Sequence, residues 1–163
     1  MENQLQLTAE DLMTHDVLTV YEGWSIKRLT DFFIKHRISG APVIASDHQL
    51  VGVVSVADIL RFDNLPEADK AALVSEHVYS EFIGQMFFPN DIKTLVDHAV
   101  ENCTVNSIMT PQVISVSTLE TLPKIARLMH KERIHRVFVV EQGVIRGVVS
   151  SGDILEKVAN FSD

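Results

Sequence analysis

The period of the apolar positions along this chain changes in a fixed order, and that order occurs twice. Val17-Leu18-Thr19-Val20 is a short, mostly apolar stretch that predicts a strand. Between Ser25 and His36, Ile26, Leu29, Phe32 and Phe33 recur at helical spacing. Residues 41–45 and 49–55 then predict an antiparallel pair closed by Ser46-Asp47-His48, with a helix beginning at Ser55. The second pass repeats each step. Val113-Ile114-Ser115-Val116 predicts a strand, and Leu122, Ile125, Leu128 and Met129 a helix whose first turn tolerates Pro123. Residues 137–140 and 144–150 predict a second pair across Glu141-Gln142-Gly143, and a helix begins at Ser150. Each pass opens on a short helical lead-in; Thr8-Ala9-Glu10-Asp11 has the spacing of a capping box.

The repetition extends to the residues themselves. Met13-Thr14 pairs with Met109-Thr110, Arg37-Ile38 with Arg133-Ile134, and Gly52-Val53-Val54-Ser55 with Gly147-Val148-Val149-Ser150. The single-residue difference in length falls in the Asp47-His48-Gln49 turn, where a loop absorbs it most easily. The chain therefore reads as an α/β (α+β) fold of two pseudo-symmetric β-α-β-β-α repeats, residues 8–60 and 104–158. A helical connector, residues 61–103, joins them. A duplication of this kind implies a pseudo-two-fold axis, with clefts on it where a site is to be sought. In the connector, Pro66-Glu67 opens a helix with Tyr79, Phe82, Ile83 and Met86 on one stripe. Phe87-Phe88-Pro89 breaks it, and Asn90 caps a second helix bearing Ile92, Leu95, Val96 and Ala99. Both stripes predict packing against the repeat core or a second subunit rather than a cofactor site.

Composition narrows the function classes. The chain is 163 residues long, 46% hydrophobic and 22% charged, an ordinary globular balance. Its net charge of −8 includes eight acidic against three basic residues in the connector, whereas residues 104–163 carry seven basic against six acidic. An acidic chain without a basic stripe predicts neither nucleic acid nor an anionic membrane as partner. The basic groups for an anionic ligand would lie in the second copy, and the acidic connector, Glu76 and Glu81 included, is expected away from any phosphate. The lone Cys103 excludes a disulfide framework and fits a reducing compartment. The acidic, polar start reads as no secretory or transit peptide, and no apolar run approaches bilayer length, so the expected location is cytoplasmic.

Two motifs carry chemistry. Gly52-Val53-Val54-Ser55-Val56-Ala57-Asp58 and Gly147-Val148-Val149-Ser150-Ser151-Gly152-Asp153 each end a strand in a serine that opens a helix, with an aspartate three residues on. The plain reading is a capping box, in which serine and aspartate satisfy the first turn. The same geometry suits a ligand, since free N–H groups at a helix start attract phosphate and a carboxylate accepts ribose hydroxyls. His135-Arg136, just before residues 137–140, is the second signal, because a planar guanidinium matches phosphate oxygens. The first copy has Ser39-Gly40 there, so the two clefts are expected to be unequal. Catalysis has little support: there is no H-E-x-x-H, P-loop or G-x-G-x-x-G. Trp24 reads as core or staple.

These residues resemble the cystathionine β-synthase (CBS) domain family, whose members occur in tandem as a CBS pair or Bateman module. The resemblance covers residues 8–60 and 104–155. It rests on the M-T lead-ins, the R-I segments and the G-V-V-S-x-x-D endings. It implies regulatory binding of adenosine compounds (AMP, ADP, ATP, S-adenosylmethionine) in clefts between paired repeats. It implies further that Asp58 and Asp153 take ribose hydroxyls, and that Ser55, Ser150, His135 and Arg136 meet phosphates. Thr19 and Ser115, with the strands at Ala41, Val43, Val137 and Val139, would sandwich adenine. Because such clefts mix residues of both repeats, the basic pair could serve Asp58 rather than Asp153. The expected protein is a homodimer that needs no cofactor or metal and acts on a partner protein. Phe32, Phe33, Leu128 and Met129 would supply apolar surface beyond what one core buries. The alternative is a ligand-free interaction scaffold; nucleotide chemistry is the remote third.

Overall fold

The computed structural model describes residues 7–81, 94 and 97–160. The expected stripe at Phe82, Ile83 and Met86, the break at Phe87-Phe88-Pro89, the cap at Asn90 with Ile92, Leu95 and Val96, and the side chain of Tyr79 lie outside them. Among the described residues the strands form two three-stranded sheets. The chain divides into two compact units.

The copy-1 unit holds residues 19–47 and most of 51–112. Its sheet orders β1 (Val20–Tyr21), β2 (Gly40–Ile44) and β3 (Leu50–Ser55), with β1 parallel to β2 through Val20 opposite Val43. Helix α2 (Ile26–His36) is capped by the Ser25 hydroxyl, which accepts from the Arg28 N–H at 3.2 Å. Helix α3 (Val56–Asp63) follows β3 directly. Val20, Ile26, Leu29, Phe33, Val43, Val54 and Phe62 make the core. The connector adds Val74 from α4 (Glu67–Glu81) and Ala99 from α5 (Ala99–Asn102), so these described parts do pack on the repeat core. Trp24 packs at its margin, edge-on to Phe32 at 5.2 Å, with the Arg28 guanidinium 4.2 Å over its ring.

The copy-2 unit holds residues 7–18, 48–50 and 113–160. It repeats the arrangement with β4 (Ser115–Val116), β5 (Arg136–Glu141) and β6 (Val144–Ser150), and with α7 (Leu122–Glu132) and α8 (Ser151–Ala159). Ile125, Met129, Val137, Val139 and Val149 centre its core. The β5–β6 turn runs through left-handed Gln142 (φ 51°) and Gly143 (φ 81°), the second being a position that glycine suits.

The first strand of each copy is shorter than its apolar run predicts. Pairing is limited to Val20–Tyr21 and Ser115–Val116, and the apolar Leu18 and Ile114 are left 42% and 37% exposed. Hydrophobicity alone did not locate the ladder. The four helix residues expected to be in surplus are also accommodated: Phe33 and Met129 are buried, and Phe32 and Leu128 pack against the cores. Among the described residues, the exposed apolar side chains on the helices include Ile34, Leu60, Leu155 and Val158, and Leu119 is exposed outside them.

The lead-ins are exchanged. Helix α1 (Ala9–Leu12), from the front of copy 1, lies in the copy-2 unit, where Ala9 and Leu12 join the core. Thr14 and Val148 exchange backbone bonds of 2.9 and 3.0 Å. Helix α6 (Val105–Ile108) likewise belongs to the copy-1 unit, and Val53 and Thr110 exchange two bonds of 2.9 Å. This explains the glycine of each G-V-V-S segment. A Cβ on Gly147 would stand 2.6 Å from the Met13 sulfur and 2.8 Å from the Thr14 carbonyl oxygen. On Gly52 it would stand 2.7 Å from the Met109 sulfur and 2.9 Å from the Thr110 oxygen. The M-T and G-V-V-S motifs are the two halves of one contact.

Candidate functional site

Both Ser-x-x-Asp segments form complete capping boxes. In the copy-2 unit, Asp153 Oδ2 accepts the Ser150 N–H at 2.7 Å and the Ser150 hydroxyl at 2.6 Å, and the Asp153 N–H returns to Ser150 Oγ at 3.2 Å. In the copy-1 unit, Asp58 Oδ2 accepts the Ser55 N–H and hydroxyl, both at 2.7 Å. The Ser151 N–H donates to His135 O at 3.0 Å, and the Val56 N–H to Ser39 O at 2.9 Å. The helix starts therefore offer fewer free N–H groups to an anion than the motif suggests, and the positive charge has to come from side chains.

In the copy-2 unit that charge is carried by the residues that open β5. Arg136 is the cross-strand partner of Ser150 in the β5–β6 ladder, and His135 bonds through its carbonyl to the first turn of α8. His135, Arg136, Ser150 and Asp153 thus meet at one end of the copy-2 sheet, with both basic side chains exposed. The copy-1 unit has Ser39 and Gly40 at the matching place. A Cβ on Gly40 would meet the Val54 carbonyl oxygen at 3.2 Å, so a longer residue is also less easily accommodated there.

The strand residues fall into two groups. Ala41, Val43, Val137 and Val139 are buried in the two cores, so a ligand could reach them only through their backbone. Thr19 is half-buried and Ser115 exposed. Since β1 pairs with Val43 and Ile44, and β4 with Phe138 and Val139, residues 40–42 and 136–137 run on past these partners. Backbone at that end of each sheet lies beside the Ser-Asp box.

One residue escaped the motif reading. The Arg61 Nη2 donates to Asp58 Oδ1, whose side chain is 7% exposed. The signal was the helical i, i+3 spacing of Asp58 and Arg61. The matching position after Asp153 is Glu156. Elsewhere, Cys103 is buried, and burial raises its thiol pKa, away from reactivity. A cavity of 720 Å³ between α7 and α8 includes His135 and Ser151 but not Arg136, Ser150 or Asp153. Among the described residues no helix is long and apolar enough to cross a membrane.

A family model described as the CBS domain matches residues 9–64 and 105–160. The uncharacterized protein MJ1426 of Methanocaldococcus jannaschii is 30% identical over 175 residues, which cover 94% of this chain and 95% of that protein. Two further curated relatives are longer proteins, of which the chain spans 41% and 24%. The structure of Arabidopsis thaliana CBSX2 in complex with AMP is similar, with a TM-score of 0.66 at 23% identity over 96% of this chain and 98% of that one. The CBS domain pair of protein MJ0100, in complex with 5′-methylthioadenosine and S-adenosyl-L-methionine, gives a TM-score of 0.61 at 22% identity over 95% and 98%. These two likenesses bear on the fold.

Proposed function

The chain belongs to the CBS domain family, and from that membership we propose a non-catalytic, cytoplasmic sensor that binds adenosine-containing ligands of the AMP, ADP and ATP class. The observation that carries this reading is the meeting of Arg136, His135, Ser150 and Asp153 at one end of the copy-2 sheet. Asp153 and Asp58 accept ribose hydroxyls. Arg136, with His135 and Ser150, holds phosphate, and Ser55 plays the weaker part in copy 1. Thr19, Ser115 and the backbone at Ala41, Val43, Val137 and Val139 flank the adenine. The adenosine ligands of CBSX2 and MJ0100 support the ligand class. Repeats 8–60 and 104–158 with connector 61–103 act as one module upon a partner protein.

Native mass spectrometry with AMP, ADP, ATP and S-adenosylmethionine tests the reading. A mass increment of one or two nucleotides is expected; no increment with any of the four points to the interaction scaffold.

Self-association belongs to the same proposal. Leu155 and Val158 stand 67% and 50% exposed on α8, a helix without a buried residue. Sedimentation should show a dimer at micromolar concentration and a monomer for Leu155→Glu. A wild-type monomer would remove the dimer.

A further inference from the structure

The two aspartates differ in what remains for a ligand, and the count decides which one takes a ribose. An ionised carboxylate offers about four acceptor positions, two on each oxygen. Asp153 uses two, both on Oδ2, for the Ser150 N–H and hydroxyl. Its Oδ1 has no donor among the described residues, so two positions remain for the two O–H donors of a ribose 2′,3′-diol. Asp58 spends the same two on Ser55 and a third on Arg61, which leaves one.

We propose that Arg61 is a built-in competitor for the ribose at Asp58, so that the Asp153 half-site fills first. This inference rests on the ligand class proposed above and adds the residue that sets the order of the two half-sites. Arg61 is largely solvent-exposed and sits on α3 beside a buried carboxylate, so it can swing away when a diol arrives. Uptake at Asp58 therefore requires an ion pair to be broken, and uptake at Asp153 does not. Glu156 makes the difference sharper, because at the matching position it carries no donor that could reach Asp153.

Titration calorimetry with adenosine isolates the effect, since adenosine has no phosphate to engage Arg61, His135 or Arg136. The wild type, Arg61→Ala and Glu156→Arg are compared as full-length chains; both positions are exposed, so folding is preserved. Arg61→Ala should tighten the weaker site by about two- to fivefold, the range expected for an exposed ion pair. Glu156→Arg should weaken the tighter site by a similar factor. 2′-Deoxyadenosine, which offers one hydroxyl fewer, should show a smaller response to both changes. Unchanged affinities at both sites in both variants, with adenosine still bound, would overturn the competitor and leave the proposed ligand class standing. No binding of adenosine, AMP or ADP by any of the three proteins would overturn the ligand class itself.

Discussion

Arg136 and Ser150 are direct partners across the antiparallel β5–β6 ladder. A cationic side chain at the first residue of β5 is thereby held beside the serine that caps α8 and, through its hydroxyl, beside Asp153. The pairing register fixes this neighbourhood, and a slip of one residue would turn the guanidinium to the other face of the sheet.

Removal of that guanidinium should separate phosphate from nucleoside. A charge-assisted hydrogen bond contributes about 1.5–3 kcal/mol, so Arg136→Ala is expected to weaken ADP by roughly ten- to a hundredfold while leaving adenosine nearly unchanged. Calorimetric titration with the two ligands checks this. Equal losses for ADP and adenosine would deny Arg136 a phosphate role.

The glycines under the exchanged lead-ins predict a steric cost. Gly147→Ala and Gly52→Ala each force a methyl group against a methionine sulfur, which can move, and a backbone carbonyl, which moves only with the bridge. Each substitution should destabilise by about 1–3 kcal/mol in urea unfolding. Truncation of Met13 to Ala in the Gly147→Ala background should restore little, because the Thr14 oxygen remains in place.

Arg37 and Arg133 end α2 and α7 in the left-handed region, each with φ 54°. The following isoleucine closes the turn: Ile38 N–H bonds to Phe33 O at 3.1 Å and Ile134 N–H to Met129 O at 3.0 Å. Glycine takes this conformation without a Cβ penalty, so Arg37→Gly and Arg133→Gly should raise stability by up to about 1 kcal/mol. A lower midpoint on thermal unfolding would show that the arginine side chains matter more than their backbone.

Acid should loosen the first lead-in. Asp11 closes the Thr8 cap of α1, and its pKa is lowered mainly by the Thr8 backbone N–H, then by the Thr8 hydroxyl, with a smaller contribution from Lys157. A carboxyl whose pKa is lowered in the folded state adds stability at pH above its ordinary value of 3.8 and loses it as pH falls through the folded value. Unfolding measured from pH 6 down to pH 2 should therefore show less acid sensitivity in Asp11→Asn than in the wild type. Identical profiles would mean that the cap contributes nothing measurable.

The sequence carried the fold because local signals agreed with one another. Periods of two and of 3.6 alternated in the same order twice, and Ser25, Ser55 and Ser150 sit at helix starts where the capping rules put them. The exchange of the lead-ins was not legible, since Met13-Thr14 looks the same whichever sheet it joins, and only the register of Thr14 with Val148 distinguishes them. Within the candidate site, the pairing of Ser150 with Asp153 was written in their spacing, and the nearness of Arg136 followed once residues 137–140 and 144–150 were read as a hairpin. The burial of Val137 and Val139 was less evident, because an apolar strand shows its period but not which face the core will claim. Arg61 escaped notice because a helical i, i+3 charge pair is common and ordinarily signifies only a solvated surface.

The exchanged first turns make the tandem chain the covalent equivalent of two single-copy chains that trade their opening segments. A chain cut within the connector would leave two fragments, each holding the piece that completes the other's sheet. Each half by itself lacks the lead-in that packs on its own sheet. A side chain at position 13 has to fit over Gly147, more than a hundred residues away, so the two copies share one packing problem.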